Sequence, residues 1–523
     1  MLYKNTKRIL FLIIYCLFTH SCRKDLDNVQ QHENTEQKQV LDSIFLYAKQ
    51  IYYWSDRLPK QADFNTSKYT GGNDIATYNK EIFDIAGYAI NPETGKSYEF
   101  YQSSPAETKF SIILDKKGNS VQTDYKLTDI GNNYGITMVA LGNIAIYIEY
   151  VIKNSPAEKA GIRRGMKVEE INGRKGENTA DFYKYIKNAF DFDKVELTLN
   201  GKSNAYQSQK FSLKRSAYIS DPVNKVAILK VNNTNVGYIS YLKFFSPRGQ
   251  DESLNNAFAY FNSNAVKELI IDLRYNGGGD VTTCENFANI IAPQSINGKI
   301  MRKEKYNSLM QSGGANLLAK QPILNDDGTP ALIINGRVAT FADGDYSLEG
   351  NTSFFKKSSG LNNLTRVYFI VSKKTASASE LLINCLKPYM DVKLIGVRTS
   401  ETLIEPIKTF GKPIGFFPVI IKSYPLYLSL FQNLNANNEG DYFDGMPTTI
   451  TTDDDVETDF GELEEKGLYT ALNDMGYIQK RISANNKLSK TKSGTTNNVY
   501  APKTEVFGKT EYQRIIKSNI KLK

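Results

Sequence analysis

Apolar runs that close in turns, with helical stretches between them, fix the fold class of this chain before any other feature does. Glu268 to Asp280 reads ELIIDLRYNGGGD, a buried strand running straight into glycines. RVYFIVSKKTASASE starts at Arg366 and VKLIGVRT at Val392, and VGYISYLKF, from Val236, is a further strand entering a loop. Apolar strands with helices between them predict an α/β core whose loops collect at one edge of the sheet. The chain has 523 residues, enough for roughly two to four domains with proper cores.

What surrounds that core narrows the chemistry. The net charge of +9 comes from scattered lysines, with no basic block interleaved with aromatics, so nucleic acid is not an expected partner. Four cysteines in so long a chain make no disulfide framework. Cys16 and Cys22 fall in the N-terminal leader, which leaves Cys284 and Cys385 as expected buried thiols. The two histidines, His20 and His32, lie in the leader or just after it. The body therefore holds no Ser-His-Asp triad, no Cys-His pair and no histidine metal site; neither metal nor cofactor is expected.

The leader itself has a basic start, MLYKNTKR, an apolar run, ILFLIIYCLF, and then Thr19 to Cys22, THSC. It is too short to span a bilayer and reads as a secretory signal over residues 1–22. A small residue before Cys22 resembles the lipobox of bacterial lipoproteins, although His20 is awkward there. The resemblance implies lipid on Cys22 and a place in the cell envelope. The protein would be a membrane-anchored lipoprotein on the periplasmic or cell-surface side of the outer membrane.

Residues 23–126 read as a mostly helical region, opened by the helical spacing of Lys38 to Trp54. From Leu127 the texture turns β-rich. SPAEKAGIRRGMKVEEINGRK, Ser155 to Lys175, then resembles the PDZ signature, with Met166 in place of the usual acidic residue and Val168 in place of isoleucine. Residues 127–203 are assigned to this domain, with a linker near Ser203 to Gln209 and a helix, Thr179 to Asn188, flanking a peptide groove. Tyr134-Gly135-Ile136 fits the loop whose amides receive a peptide's terminal carboxylate, beside a strand edge that accepts an added strand.

KKTASASELLINCL, Lys373 to Leu386, places small and hydroxyl residues before an apolar helical run. Ser377 with Glu380 three residues later fits a capping box. The same serine, at a helix start beside a glycine turn on a neighbouring strand end, also fits an acyl-transfer nucleophile with half an oxyanion hole. Without histidine, something else must take that serine's proton, and a buried lysine of lowered pKa is the usual substitute.

The signal, the PDZ module, LIIDLRYNGGG, TASASE and GDYFDG together resemble the C-terminal processing, or tail-specific, serine peptidases, over about Leu127 to Asp474. The resemblance implies a multidomain α/β chain whose core, residues 210–474, is of the crotonase-like ββα type. It implies Ser377 as nucleophile and the amides of Ala378 and Gly278 as oxyanion hole. A lysine of a T-x-G-K loop would be the base, and peptide bonds would be cut near the C-termini of protein or peptide substrates. The base's usual position is taken by Thr402, and TFGKPIGFF follows about ten residues late. An insertion near Thr399 to Lys408 then makes Lys412 the base, with Lys408 the second candidate. Pro388 and Phe416 stand where relatives carry a third polar member. The alternative reading is a silent, peptide-binding PDZ lipoprotein of the same fold. Residues 475–523 read as a basic, flexible tail.

Overall fold

The structure, a computed structural model, describes residues 35–115, 130–142, 145–245, 252–325, 328–399, 406–478, 503–508, 515–516 and 520–523. The leader with Cys22, and most of the expected insertion, lie outside the described residues.

Helix α1 covers residues 35–51, and its buried positions Val40, Leu41, Ile44, Phe45, Ala48 and Ile51 recur at the three- and four-residue spacing of one helical face. Helix α2, Asp74–Ala86, is capped by the Asn73 side chain, which accepts the Ala76 N–H at 3.2 Å. These helices are not a free-standing unit. Their apolar faces share one core with Ile414, Phe416, Phe431 and Phe443, far along the chain.

The β-rich domain follows as β1 (Ile136–Leu141), β2 (Ala145–Val151), β3 (Lys167–Ile171), α3 (Ala180–Phe190), β4 (Lys194–Asn200) and β5 (Gln209–Lys214). The Thr179 side chain caps α3 by accepting the Phe182 N–H. β5 pairs with β4 along its whole length. The linker expected at Ser203 to Gln209 is therefore a hairpin connection inside this sheet, which does not end at 203.

The core contains β6 (Val223–Val231), β7 (Thr234–Tyr241), α4 (Glu252–Ser263), β8 (Glu268–Asp272), α5 (Val281–Ile291), β9 (Ile300–Tyr306), β10 (Arg366–Val371), α6 (Ala378–Leu386), β11 (Asp391–Arg398), β12 (Ile414–Phe416), β13 (Phe431–Leu434), β14 (Ile450–Asp453) and α7 (Lys466–Asp474). Six strands form one sheet in the order β6-β7-β8-β10-β11-β14, parallel from β7 onward. Alternate residues face opposite layers: Leu269 and Ile271 pack with α4, α5 and α6, whereas Ile270 packs with α7. A second sheet holds β9, β13 and β12. Because β8 and β10 are parallel neighbours, with Asp272 opposite Ile370, the loops that leave them emerge at the same edge.

Three described pieces of the tail pair with the body, which the expectation of a flexible end did not include; most of the rest of the tail lies outside the described residues. β15 (Lys503–Phe507) joins the β1 edge, β16 (Ile515–Ile516) pairs with β12, and Leu522 bridges to Gly344. Adjacent apolar pairs, Val506-Phe507 and Ile515-Ile516, lie in a lysine-rich segment whose backbone adds to existing sheet edges, a gain that composition does not reveal.

Candidate active site

The loop after β10 turns sharply into α6 at Ser377, whose φ of 61° and ψ of −119° leave the regions open to an ordinary side chain. Holding a serine there costs on the order of 1–3 kcal/mol and needs surrounding structure to enforce it. Only half of the expected capping box forms. Glu380 accepts the Ser377 N–H at 2.9 Å, but Ser377 Oγ is buried and has no hydrogen-bond partner among the described residues. The hydroxyl is not spent on the helix.

The loop after β8 presses against this turn. Gly278 has φ of 103°, and a Cβ there would stand 2.5 Å from Ser377 Cβ and 2.9 Å from the Ala378 nitrogen, so only glycine allows the approach. Ala378 is the first residue of α6, where helix amides lack intrahelical acceptors. The Gly278 N–H instead donates to Asn276 Oδ1 at 2.8 Å. Both residues named for the oxyanion hole thus adjoin Ser377, with one amide engaged.

Lys412 lies in the T-F-G-K loop ahead of β12 and is 4% exposed; its Nζ is 5.6 Å from the centre of the buried Phe416 ring. Gly411, with φ of 86°, lets the loop pass where a Cβ would meet the Gly445 nitrogen at 2.3 Å. Lys408 differs: it is only half-buried and pairs with Asp444 at 3.7 Å. Phe410, two residues before Lys412, packs near Tyr101 and under Lys109.

Glu380 links these parts, a role the sequence reading confined to capping. Its buried carboxylate accepts the Ser377 and Lys412 amides on one oxygen, at 2.9 and 2.8 Å. The other oxygen takes the Gly411 amide at 2.7 Å and the Thr409 hydroxyl. The two backbone nitrogens are therefore no farther apart than the sum of their distances to the shared oxygen. Burial pushes the Glu380 carboxyl pKa up, and these hydrogen bonds oppose the shift.

Two neighbours escaped the sequence reading. Lys109, from the N-terminal region, donates to the Phe443 carbonyl at 2.6 Å, and burial pushes its amine down to about 8 against the pull of Glu380 and Asp444. No local pattern marks it. Tyr442, inside the GDYFDG motif, has a buried hydroxyl without a partner among the described residues. Burial and then Glu380 raise its pKa. Cys284 and Cys385 are buried free thiols, as expected, and Cys284 Sγ donates to the Ala378 carbonyl at 3.2 Å.

In the β-rich domain, Gly135 has φ of 74° and its N–H donates to Asn133 Oδ1 at 2.8 Å. Tyr134 turns its ring inward, edge-on to Phe190 at 5.2 Å, and Ile136 opens β1.

Residues 235–404 match the family model "Peptidase family S41", and residues 147–199 match that of a PDZ domain. Over those residues the chain is similar to PDZ-containing C-terminal processing serine peptidases. It is 24% identical over 332 residues to the "Probable CtpA-like serine protease" of Staphylococcus saprophyticus, covering 60% of this chain and 55% of that protein. It is 29% identical over 219 residues to the carboxy-terminal processing protease CtpA of Bacillus subtilis, covering 40% and 44%. The chain thus spans about half the length of the curated relatives it matches. The fold resembles a crystal structure from Bacteroides fragilis classed as an S41 protease, with a TM-score of 0.52 at 20% identity over 83% of this chain and 96% of that one. The helical N-terminal region, the PDZ domain and the mixed α/β core agree with that fold.

Proposed function

We propose that this chain is a serine endopeptidase acting through a Ser377–Lys412 dyad on protein substrates, near their C-termini, with the PDZ groove recruiting them. The observation that carries the reading is Ser377 Oγ, buried and without a hydrogen-bond partner among the described residues on a strained helix start, with its backbone joined to that of buried Lys412 through one Glu380 oxygen. In the first step Oγ attacks the substrate carbonyl while the neutral Lys412 amine takes its proton. The developing oxyanion meets the Ala378 amide, and that of Gly278 once it releases Asn276. Lys412 then protonates the leaving amine, and water, deprotonated by the same amine, hydrolyses the acyl-enzyme.

A free lysine titrates near 10.4, so the working amine must be held neutral by burial, and activity should rise toward alkaline pH. Ser377→Ala and Lys412→Ala should each lower kcat/KM on an unfolded test protein by about four orders of magnitude, because the pair acts as a unit. Lys408→Ala should leave most activity. Wild-type turnover by Ser377→Ala would refute the nucleophile, and full rate in Lys412→Ala would refute the base. The engaged Gly278 amide favours one rival, a peptide-binding protein without turnover; the same assays decide it. The leader over residues 1–22 supports the further proposal that the protein is tethered by lipid on Cys22 in the cell envelope.

A further inference from the structure

Part of the tail, Lys503–Phe507, adds a strand to the β1 edge. β15 runs antiparallel to β1, with Lys503 opposite Leu141, Thr504 opposite Ala140, Glu505 opposite Val139 and Phe507 opposite Met138. β1 starts directly after Tyr134-Gly135, so an antiparallel strand brings its C-terminal end to that loop. Gly508 sits there, where a Cβ would stand 3.0 Å from the Ile136 carbonyl oxygen. The Phe507 ring lies 4.4 Å from that of Phe190 on α3, and Val506 packs on the same core. An added strand with side chains seated between β1 and α3 is how a peptide ligand augments a sheet edge.

Two ion pairs fasten this strand to the catalytic core. Buried Lys503 reaches the Asp454 carboxylate at 2.9 Å. Glu505 accepts from Lys374 Nζ at 2.8 Å, three residues ahead of Ser377. Lys374 also pairs with Glu149 of β2 at 2.9 Å. Burial opposes its charge, but the two carboxylates outweigh that and raise its pKa. Farther on, β16 lies parallel to Gly415 and Phe416, just past Lys412. One segment therefore touches the groove, the loop of the candidate nucleophile and the strand after the candidate base.

We propose that Lys503–Phe507 is a tethered ligand of this chain's own peptide groove, and that incoming substrates must displace it. Its chemistry defines what the groove selects: an extended segment with an acidic residue two places before an aromatic one. Occupancy rests on the strand pairing alone; displacement by substrate rests on the peptidase reading. A tethered strand competes at an effective concentration near the millimolar range, so an untethered copy binds the intact chain much more weakly than a chain whose own strand is released.

The test uses the full chain with Ser377→Ala, and a dye-labelled KTEVFG peptide read by fluorescence anisotropy. Phe507→Asp places a carboxylate against Phe190 and should tighten peptide binding by about 10- to 100-fold; Glu505→Lys, which repels Lys374, should give a smaller gain. As a reversible arm, Ala140→Cys with Thr504→Cys joins directly opposed residues. The oxidised form should lose peptide binding, and reduction should restore it. Equal affinity in intact and Phe507→Asp chains, binding unaffected by the cross-link, or a cross-link that joins two chains would each overturn the proposal. In chains with Ser377 restored, Phe507→Asp should speed turnover at low substrate by a similar factor. Undiminished turnover in Ser377→Ala would defeat the peptidase reading while leaving the binding result to stand on its own.

Discussion

Glu380 sets the geometry of the site by accepting three backbone amides and a hydroxyl on one buried carboxylate. Glutamine at this place keeps one acceptor and turns an N–H₂ group toward donors. Glu380→Gln should therefore lower thermal stability by about 1–3 kcal/mol, the usual range for unsatisfied buried donors. Turnover should fall by about two orders of magnitude or more, because the Ser377 and Lys412 backbones lose their common anchor. Unchanged kcat in a folded Glu380→Gln protein would show that the anchor does not position the pair.

At the scale of elements, α2 carries a liability of its own. Glu81 is fully buried, and both its carboxylate oxygens lack partners among the described residues. Burial first, then the nearby Asp42, raises its pKa to about 9. The folded protein thus binds this proton more tightly than the unfolded chain does. The penalty is absent below the ordinary carboxylate pKa and grows as pH rises toward about 9. Near pH 7 it reaches about 3 kcal/mol, at 1.36 kcal/mol per pH unit. Glu81→Gln should raise the melting temperature at pH 7 to 8 and have little effect near pH 4.5. An equal effect at both pH values, measured by calorimetry, would contradict this account.

Across the whole molecule, buried charge ties the PDZ domain to the core. Arg164 pairs with Asp454 at 2.7 Å; Arg274, four residues before Gly278, reaches Asp454 at 3.0 Å and Glu465 at 2.5 Å. Ions buried this way hold a fixed arrangement because losing either partner strands the other. The envelope proposal also belongs at this scale. Twelve residues separate Cys22 from the first described residue, and a lipid on that cysteine would hold the body within roughly 40 Å of the bilayer. Cys22→Ser should move the protein from the membrane pellet to the soluble fraction with its specific activity unchanged. A wild-type protein already found in the soluble fraction would argue against the anchor.

The strands that build the central sheet were legible because burial on two faces leaves a local mark, a continuous apolar run ending in a turn. The glycines after β8 and the small residues before α6 were legible for a related reason. Close approach of two backbones excludes side chains, and that exclusion is written at each position. The PDZ signature carried its own turns, and the β1 loop followed from it. Tertiary structure alone decided the rest. The T-x-G-K motif ranked Lys412 ahead of Lys408, but the difference in their burial comes from residues elsewhere in the chain. Whether Ser377 Oγ caps its helix or stays free depends on a backbone angle enforced by a loop about 100 residues earlier. The tail looked like a solvated basic end because composition counts its lysines. The pairing of Lys503–Phe507 depends on a sheet edge formed more than 350 residues before it. Local sequence records which residues must be buried and where a chain must turn; which distant surface buries them is settled only when the whole chain packs.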